Sequence, residues 1–223
     1  MIKLAILASG NGSNAQAIFE ATANNLLDAK IEVVITNKPK AGVISKAQNA
    51  GIPVEIIPSK GFNNREEYDS LIIKALSNYN VDTIALAGWM RILSPFFIDT
   101  FQGKILNLHP AILPSFTGAN GIKDAFDYGV KITGCTVHFV NKELDTGPII
   151  IQAAVPVCDN AEKTENLIHR MEHLIFQQAL QWLSENRLTL KGRTVSITLS
   201  RKNIRYVNYI DGCIISPPLE EKK

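Results

Sequence analysis

The sequence predicts an α/β protein, with an open, mostly parallel sheet, helices on both faces and an antiparallel portion toward its end. Three observations carry this. Short apolar, β-branched runs recur at residues 2–8, 31–36, 54–57, 83–87 and 105–108, and they read as strands buried on both faces. Residues 15–23, 43–49 and 65–78 lie between them with helical spacing, which makes the order βαβαβ. After Pro110 the rhythm loosens, and two longer runs, 132–139 and 149–155, are joined across residues 141–147 as a hairpin would be.

Taken in order, the first strand runs into Ser9-Gly10-Asn11-Gly12-Ser13-Asn14 and then a helix. Small residues at a helix N-terminus leave backbone N–H groups for an anion, and Ser13 and Asn14 are expected to cap the helix as well. Residues 65–78 place Tyr68, Leu71, Ile72, Ala75, Leu76 and Tyr79 on one stripe. A short helix is expected near 122–128. The longest pattern, 161–186, turns Leu167, Met171, Leu174, Ile175 and Leu183 inward. Residues 195–199 read as an edge strand and 217–223 as a frayed end. Domain boundaries follow as 1–186, with 187–223 an extension packed on the same domain.

Composition restricts the function. The 223 residues are 46% hydrophobic and 20% charged with a formal net charge of +2, so no overall field calls for nucleic acid or membrane. The basic stretch from Arg187 through Lys191, Arg193, Arg201 and Lys202 to Arg205 reads as a solvated edge rather than an RNA-binding arm. Cys135, Cys158 and Cys213 are odd in number and lack zinc-like spacing, so a reducing, cytoplasmic compartment is expected. No stretch reaches the ~20 apolar residues of a membrane span, and no secretory leader is expected.

Asn107 and His109 carry the strongest chemical signal. Two residues apart in Ile105-Leu106-Asn107-Leu108-His109-Pro110, they leave the same face of one strand, whose end Pro110 marks. A buried amide and imidazole left unmatched cost ~1 to 3 kcal/mol each, and the carboxyl ends of such strands are where open α/β sheets place ligands. Asp145, in Leu144-Asp145-Thr146-Gly147-Pro148, adds a carboxylate in a glycine-bounded loop. Amide, imidazole and carboxylate together suit proton transfer and oxyanion binding. The glycine turn alone also fits a dinucleotide fingerprint, but Thr36-Asn37 stands where an acidic ribose ligand belongs, which weakens a dehydrogenase reading. A non-catalytic nucleotide-binding module would keep the glycine turn without needing the other three residues. His169 and His173 have metal-compatible spacing without a third ligand, so helix surface and no metal are expected.

Four stretches in order, Ala8 to Asn14, Leu86-Ala87-Gly88-Trp89-Met90-Arg91-Ile92-Leu93-Ser94, Leu106 to Pro114, and Val137-His138-Phe139-Val140 with Leu144 to Pro148, resemble the phosphoribosylglycinamide formyltransferases. The resemblance implies a Rossmann-like formyltransferase fold and transfer of a formyl group from 10-formyltetrahydrofolate to the amine of phosphoribosylglycinamide, a step of purine synthesis. It implies Asn107, His109 and Asp145 as catalytic residues, with Gly12, Ser13 and Asn14 on the substrate phosphate. Glu172 would meet the ribose or glycinamide end. The folate would lie against Met90, Arg91, Ile92 and Leu93, Asn107 and the loop from Asn141, with Arg65 on a folate carboxylate. His138 takes at most a supporting role. The chain departs from some relatives in residues 115–122, which lack histidine, so backbone amides or Lys123 would serve there. Another formyl-folate enzyme, such as a formyltetrahydrofolate hydrolase, a tRNA formyltransferase or a sugar-amine formyltransferase, is the alternative. The hydrolase would be expected to carry a preceding regulatory domain and the tRNA enzyme a further C-terminal one. The protein is expected to act as a monomer or homodimer.

Overall fold

A computed structural model describes residues 1–198 and 204–222. The chain forms two compact units, one of residues 1–107 with 140–142 and the other of 108–139 with residues from 143 onward.

The first unit is a parallel βα array. Its elements are β1 (Ile2–Leu7), α1 (Ser13–Ala23), β2 (Ala29–Thr36), α2 (Val43–Asn49), β3 (Val54–Ile56), α3 (Arg65–Leu76), β4 (Thr83–Leu86), α4 (Pro95–Thr100) and the start of β5 (Ile105–His109). The strands pair in the order β5-β4-β1-β2-β3, all parallel. The order therefore reverses direction at β1 and β4, and such a switch point opens a crevice at the carboxyl ends of the strands. One core gathers Ala5, Leu7, Val33, Ile35, Ile84 and Leu86, the alternate residues of three strands, with Tyr68 and Ile72 of α3 and Phe97 of α4. Of the stripe expected on α3, Tyr68, Ile72 and Leu76 are buried while Leu71 is exposed.

The second unit is antiparallel. It comprises α5 (Gly121–Tyr128), β6 (Ile132–Phe139), β7 (Ile149–Pro156), α6 (Ala161–Ser184), β8 (Leu188–Lys191), β9 (Thr194–Ile197), β10 (Ile204–Ile210) and β11 (Cys213–Lys222). Strands pair in the order β6-β7-β11-β10, each antiparallel to its neighbour. Glycine is required at two points, one in β6 and one in the turn that leads into β7. A Cβ on Gly134 would lie 1.9 Å from the Ala153 carbonyl oxygen, and one on Gly147 would lie 1.6 Å from that of Phe139.

The structure corrects several expectations. Residues 217–222 are not frayed but belong to β11, whose last four described residues pair with β10, from Val207↔Leu219 to Ile204↔Lys222; residue 223 lies outside the described residues. The strand expected at 195–199 is β9, which pairs only with β8 in a separate two-stranded sheet; residue 199 lies outside the described residues. The inward face of α6 is Ile168, Met171, Ile175, Ala179 and Trp182, rotated from the expected stripe so that Leu167, Leu174 and Leu183 are half-buried. The basic stretch is not uniformly solvated. Arg187 is mostly buried and its guanidinium holds both carboxylate oxygens of Glu220, at 2.7 and 2.5 Å, while Gln178 accepts the Glu220 amide at 2.7 Å. Arg201 and Lys202 lie outside the described residues.

Candidate active site

In the first unit, the turn after β1 departs at the switch point. Gly12 holds φ at +76°, and a Cβ there would lie 2.7 Å from the Val43 side chain, so glycine is required on both grounds. Ser13 and Asn14 do not cap α1, contrary to expectation, because α1 begins at Ser13 with Gly12 as its N-cap and no side chain closes it. Its first turn carries no acidic residue either. A glycine N-cap brings no side-chain acceptor of its own to the first turn, which suits an external anion. The turn is tied to the one after β4: Ser9 donates its N–H to the Gly88 carbonyl at 3.0 Å and accepts the Met90 N–H on its hydroxyl at 2.9 Å.

Met90 and Ile92 are exposed, whereas Leu93 is buried. Arg91 lies over the Tyr68 ring, 4.5 Å from its centroid, within cation–π range. Burial holds the Tyr68 phenol up at about 12. Asp69, buried on α3, accepts the Ser94 N–H at 2.5 Å and so clamps the end of this segment; burial raises its carboxyl above the usual range. Two donors of the segment, Trp89 Nε1 and Arg91 Nε, are buried with no hydrogen-bond partner among the described residues. Unmatched buried donors are costly, and acceptors on the edge of a flat heterocycle would satisfy them. Arg65 opens α3, and with Asn63, Asn64, Ser94 and Pro95 it lines a cavity of about 360 Å³.

The second unit holds the proton-transfer groups. His109 is 3% exposed, and its Nε2 lies 2.8 Å from the Phe116 carbonyl oxygen. A carbonyl only accepts, so Nε2 carries a proton and Nδ1 is the atom turned to Asp145, 3.5 Å from Oδ2. Asp145 has φ +53°, in the left-handed region, and its Oδ2 also accepts the Gly118 N–H at 2.7 Å. On its other side, Oδ1 lies 3.8 Å from His138 Nε2, while His138 Nδ1 donates to the Phe139 carbonyl at 2.9 Å. Burial dominates at His138 and lowers its pKa, against the opposing pull of that hydrogen bond and of Asp145.

His109 and Asp145 are thus brought together within one unit. Asn107 is half-buried on β5, two residues before His109, and it and Asn141 belong to the first unit with Gly12, Ser13, Asn14, Arg65 and the segment Met90 to Leu93. Glu172, on a helix where a solvated carboxylate is the ordinary case, is 4% exposed in the second unit. Its charge helps burial hold the Cys135 thiol well above its usual range. Lys123 pairs with Asp127 on the exposed surface of α5. His169 lies 4.0 Å from Glu165 and is half-buried on α6.

Sequence reasoning missed Asp69, although its spacing with Ile72 and Leu76 sets a carboxylate on a buried helical stripe. It also missed the Phe116 carbonyl and the Gly118 amide, which no side-chain pattern announces. Among the described residues no group of three or more His, Cys, Asp or Glu side chains could hold a metal ion, and no helix is long and apolar enough to cross a membrane.

Comparison with known proteins adds independent findings. Residues 2–180 match the formyl transferase family. The chain is 43% identical over 190 residues to the human trifunctional purine biosynthetic protein adenosine-3, covering 84% of this chain but only 19% of that one. It therefore spans about a fifth of the length of such multifunctional relatives. It is 42% identical over 193 residues to the phosphoribosylglycinamide formyltransferase of Haemophilus influenzae, covering 86% of this chain and 91% of the relative. The crystal structure of glycinamide ribonucleotide transformylase 1 from Symbiobacterium toebii superposes with a TM-score of 0.85 at 37% identity, covering 88% and 94% of the two chains.

Proposed function

The chain belongs to the formyl transferase family, and we propose that it transfers the formyl group of 10-formyltetrahydrofolate to the primary amine of phosphoribosylglycinamide. The observation that carries this reading is the buried His109–Asp145 pair at the carboxyl end of β5, two residues beyond the Asn107 amide. Identity to the single-function bacterial relative along nine-tenths of its length supports the acceptor.

Attack of the amine on the formyl carbon forms a C–N bond and places negative charge on the formyl oxygen. Asn107 donates an N–H to that oxyanion, and the donor is worth most where water is excluded. The amine loses a proton and the folate N10 gains one as its bond to the formyl carbon breaks. His109 passes that proton through Nδ1, with Asp145 orienting the ring. No covalent enzyme intermediate is needed.

Gly12, Ser13 and Asn14 hold the substrate phosphate against the glycine-led start of α1, and Glu172 meets the ribose or glycinamide end. Met90 to Leu93 and Asn141 hold the pterin, with Arg65 on a folate carboxylate. The unpaired thiols of Cys135, Cys158 and Cys213 support a reducing, cytoplasmic location.

An absorbance assay for the folate product tests this reading. Turnover should require phosphoribosylglycinamide; equal turnover without an acceptor, or a preference for methionyl-tRNA, would refute it.

A further inference from the structure

We propose that Thr136 and Gln152 are positioning residues for the reaction, acting through the loop 110–118 to set His109 and Asp145. The role rests on the formyl-transfer reading, but the contacts behind it do not.

Thr136 of β6 and Gln152 of β7 are a cross-strand pair, and Thr136 is fully buried. A buried position in such a pair ordinarily favours apolar side chains that pack on each other. Here the Thr136 hydroxyl and the Gln152 amide nitrogen are saturated. The Thr136 hydroxyl donates to the Ala111 carbonyl at 2.7 Å and accepts both the Leu113 N–H at 3.1 Å and Gln152 Nε2 at 3.0 Å. Gln152 Nε2 also donates to the Leu113 carbonyl at 2.9 Å. A hydroxyl has one proton and two lone pairs, and an amide nitrogen has two protons, so every one of these is used and none is shared. The two side chains hold both backbone groups of Leu113 and the carbonyl of Ala111.

The same loop then turns, with Ser115 N–H on the Ile112 carbonyl at 3.0 Å, and delivers two backbone groups to the reaction centre. The Phe116 carbonyl accepts from His109 Nε2, and the Gly118 amide donates to Asp145 Oδ2. From its far side the loop is braced by the start of α5, since a Cβ on Gly121 would lie 3.1 to 3.2 Å from Pro110 O, Ala111 Cβ and Phe116 O. One end of the loop is therefore fastened to the sheet by the Thr136–Gln152 pair while its other end aims the imidazole and the carboxylate. Loosening the fastening displaces both catalytic groups together without removing either, and a displacement of about 1 Å at such groups can cost on the order of 10²-fold in rate.

The experiment compares Gln152→Met, Thr136→Val, the double variant and Thr136→Ser. In each, kcat and both KM values are measured across pH, and the His109 imidazole is titrated by NMR. For Gln152→Met and Thr136→Val, kcat should fall about 10- to 100-fold with each KM within about twofold. The pH profile of kcat and the His109 titration should both shift. Thr136→Ser should restore the wild-type profile, and the double variant should be no slower than the slower single, because one strap cannot be cut twice. If Gln152→Met does not fold, Gln152→Glu, which matches its shape but lacks the two N–H donors, takes its place. Wild-type kcat with an unmoved His109 titration, loss confined to KM, or multiplicative losses in the double variant would overturn the proposal. The titration reads the strap without substrate, so an inactive wild type on phosphoribosylglycinamide would sink the assigned reaction and leave this test intact.

Discussion

Asp145 meets His109 with Oδ2, the same oxygen that accepts the Gly118 amide: 3.5 Å to the imidazole Nδ1 and 2.7 Å to the backbone nitrogen. The shorter bond fixes the carboxylate that faces the imidazole. Asp145→Asn keeps the shape and removes the charge. It should lower kcat more than it raises either KM and shift the pH profile; steady-state kinetics across pH would show this, and a raised KM alone would make Asp145 a binding residue.

Asn107 stands one alternation before His109 on β5 and carries the only side-chain amide of that strand. Asn107→Ala should raise the barrier of the chemical step by about 2.7 to 4 kcal/mol, the usual effect of deleting an oxyanion donor. Single-turnover rates at saturating substrates measure it, and an unchanged rate would remove Asn107 from that role.

His138 is held neutral by burial, its folded pKa below the ordinary 6.5. The unfolded chain therefore binds the extra proton first as pH falls, so this group subtracts stability as pH drops below 6.5 toward the folded value and contributes nothing above it. His138→Gln should flatten that acid limb in denaturant titrations at several pH values. An equally steep limb in the variant would assign the loss to other groups.

Gly12→Ala has to strain a left-handed residue and push Val43 aside. The turn would then shift where the phosphate is proposed to sit. KM for phosphoribosylglycinamide should rise at least tenfold while KM for the folate changes little, and equal rises in both would point to general misfolding.

Arg187→Ala would strand Glu220, whose side chain is 6% exposed, without its guanidinium. Breaking such a pair by removing one partner costs about 3 to 5 kcal/mol. Urea unfolding should register that loss, and replacing both residues with apolar ones should recover most of it.

The first half of the fold was legible because its parallel strands are dominated by apolar residues, as Ile2–Leu7 and Thr83–Leu86 show, and the helices between them have their own period. The end of the chain was not. Pro217 and Pro218, followed by acidic residues and lysine, read locally as a polar tail, and only the pairing of Leu219 to Lys222 with distant β10 reveals the strand. The same contrast holds in the site. Asn107, His109 and Asp145 stood out because their polarity is anomalous for their surroundings. Phe116 and Gly118 contribute backbone groups, and Glu172 is withdrawn from solvent by packing on α6, which spacing along one helix does not reveal.

The pairing of β11 bears on how the molecule is made. It is an inner strand, lying between β10 and β7, although it is the last strand in chain order. As the polypeptide leaves the ribosome, β7 waits with one side open through some sixty residues, until Ile214 to Ser216 emerge to pair with Gln152 to Ala154. Closing so wide a separation is slow. Every residue of the parallel unit precedes 143, so that unit is synthesised before β7 and the strands that follow it.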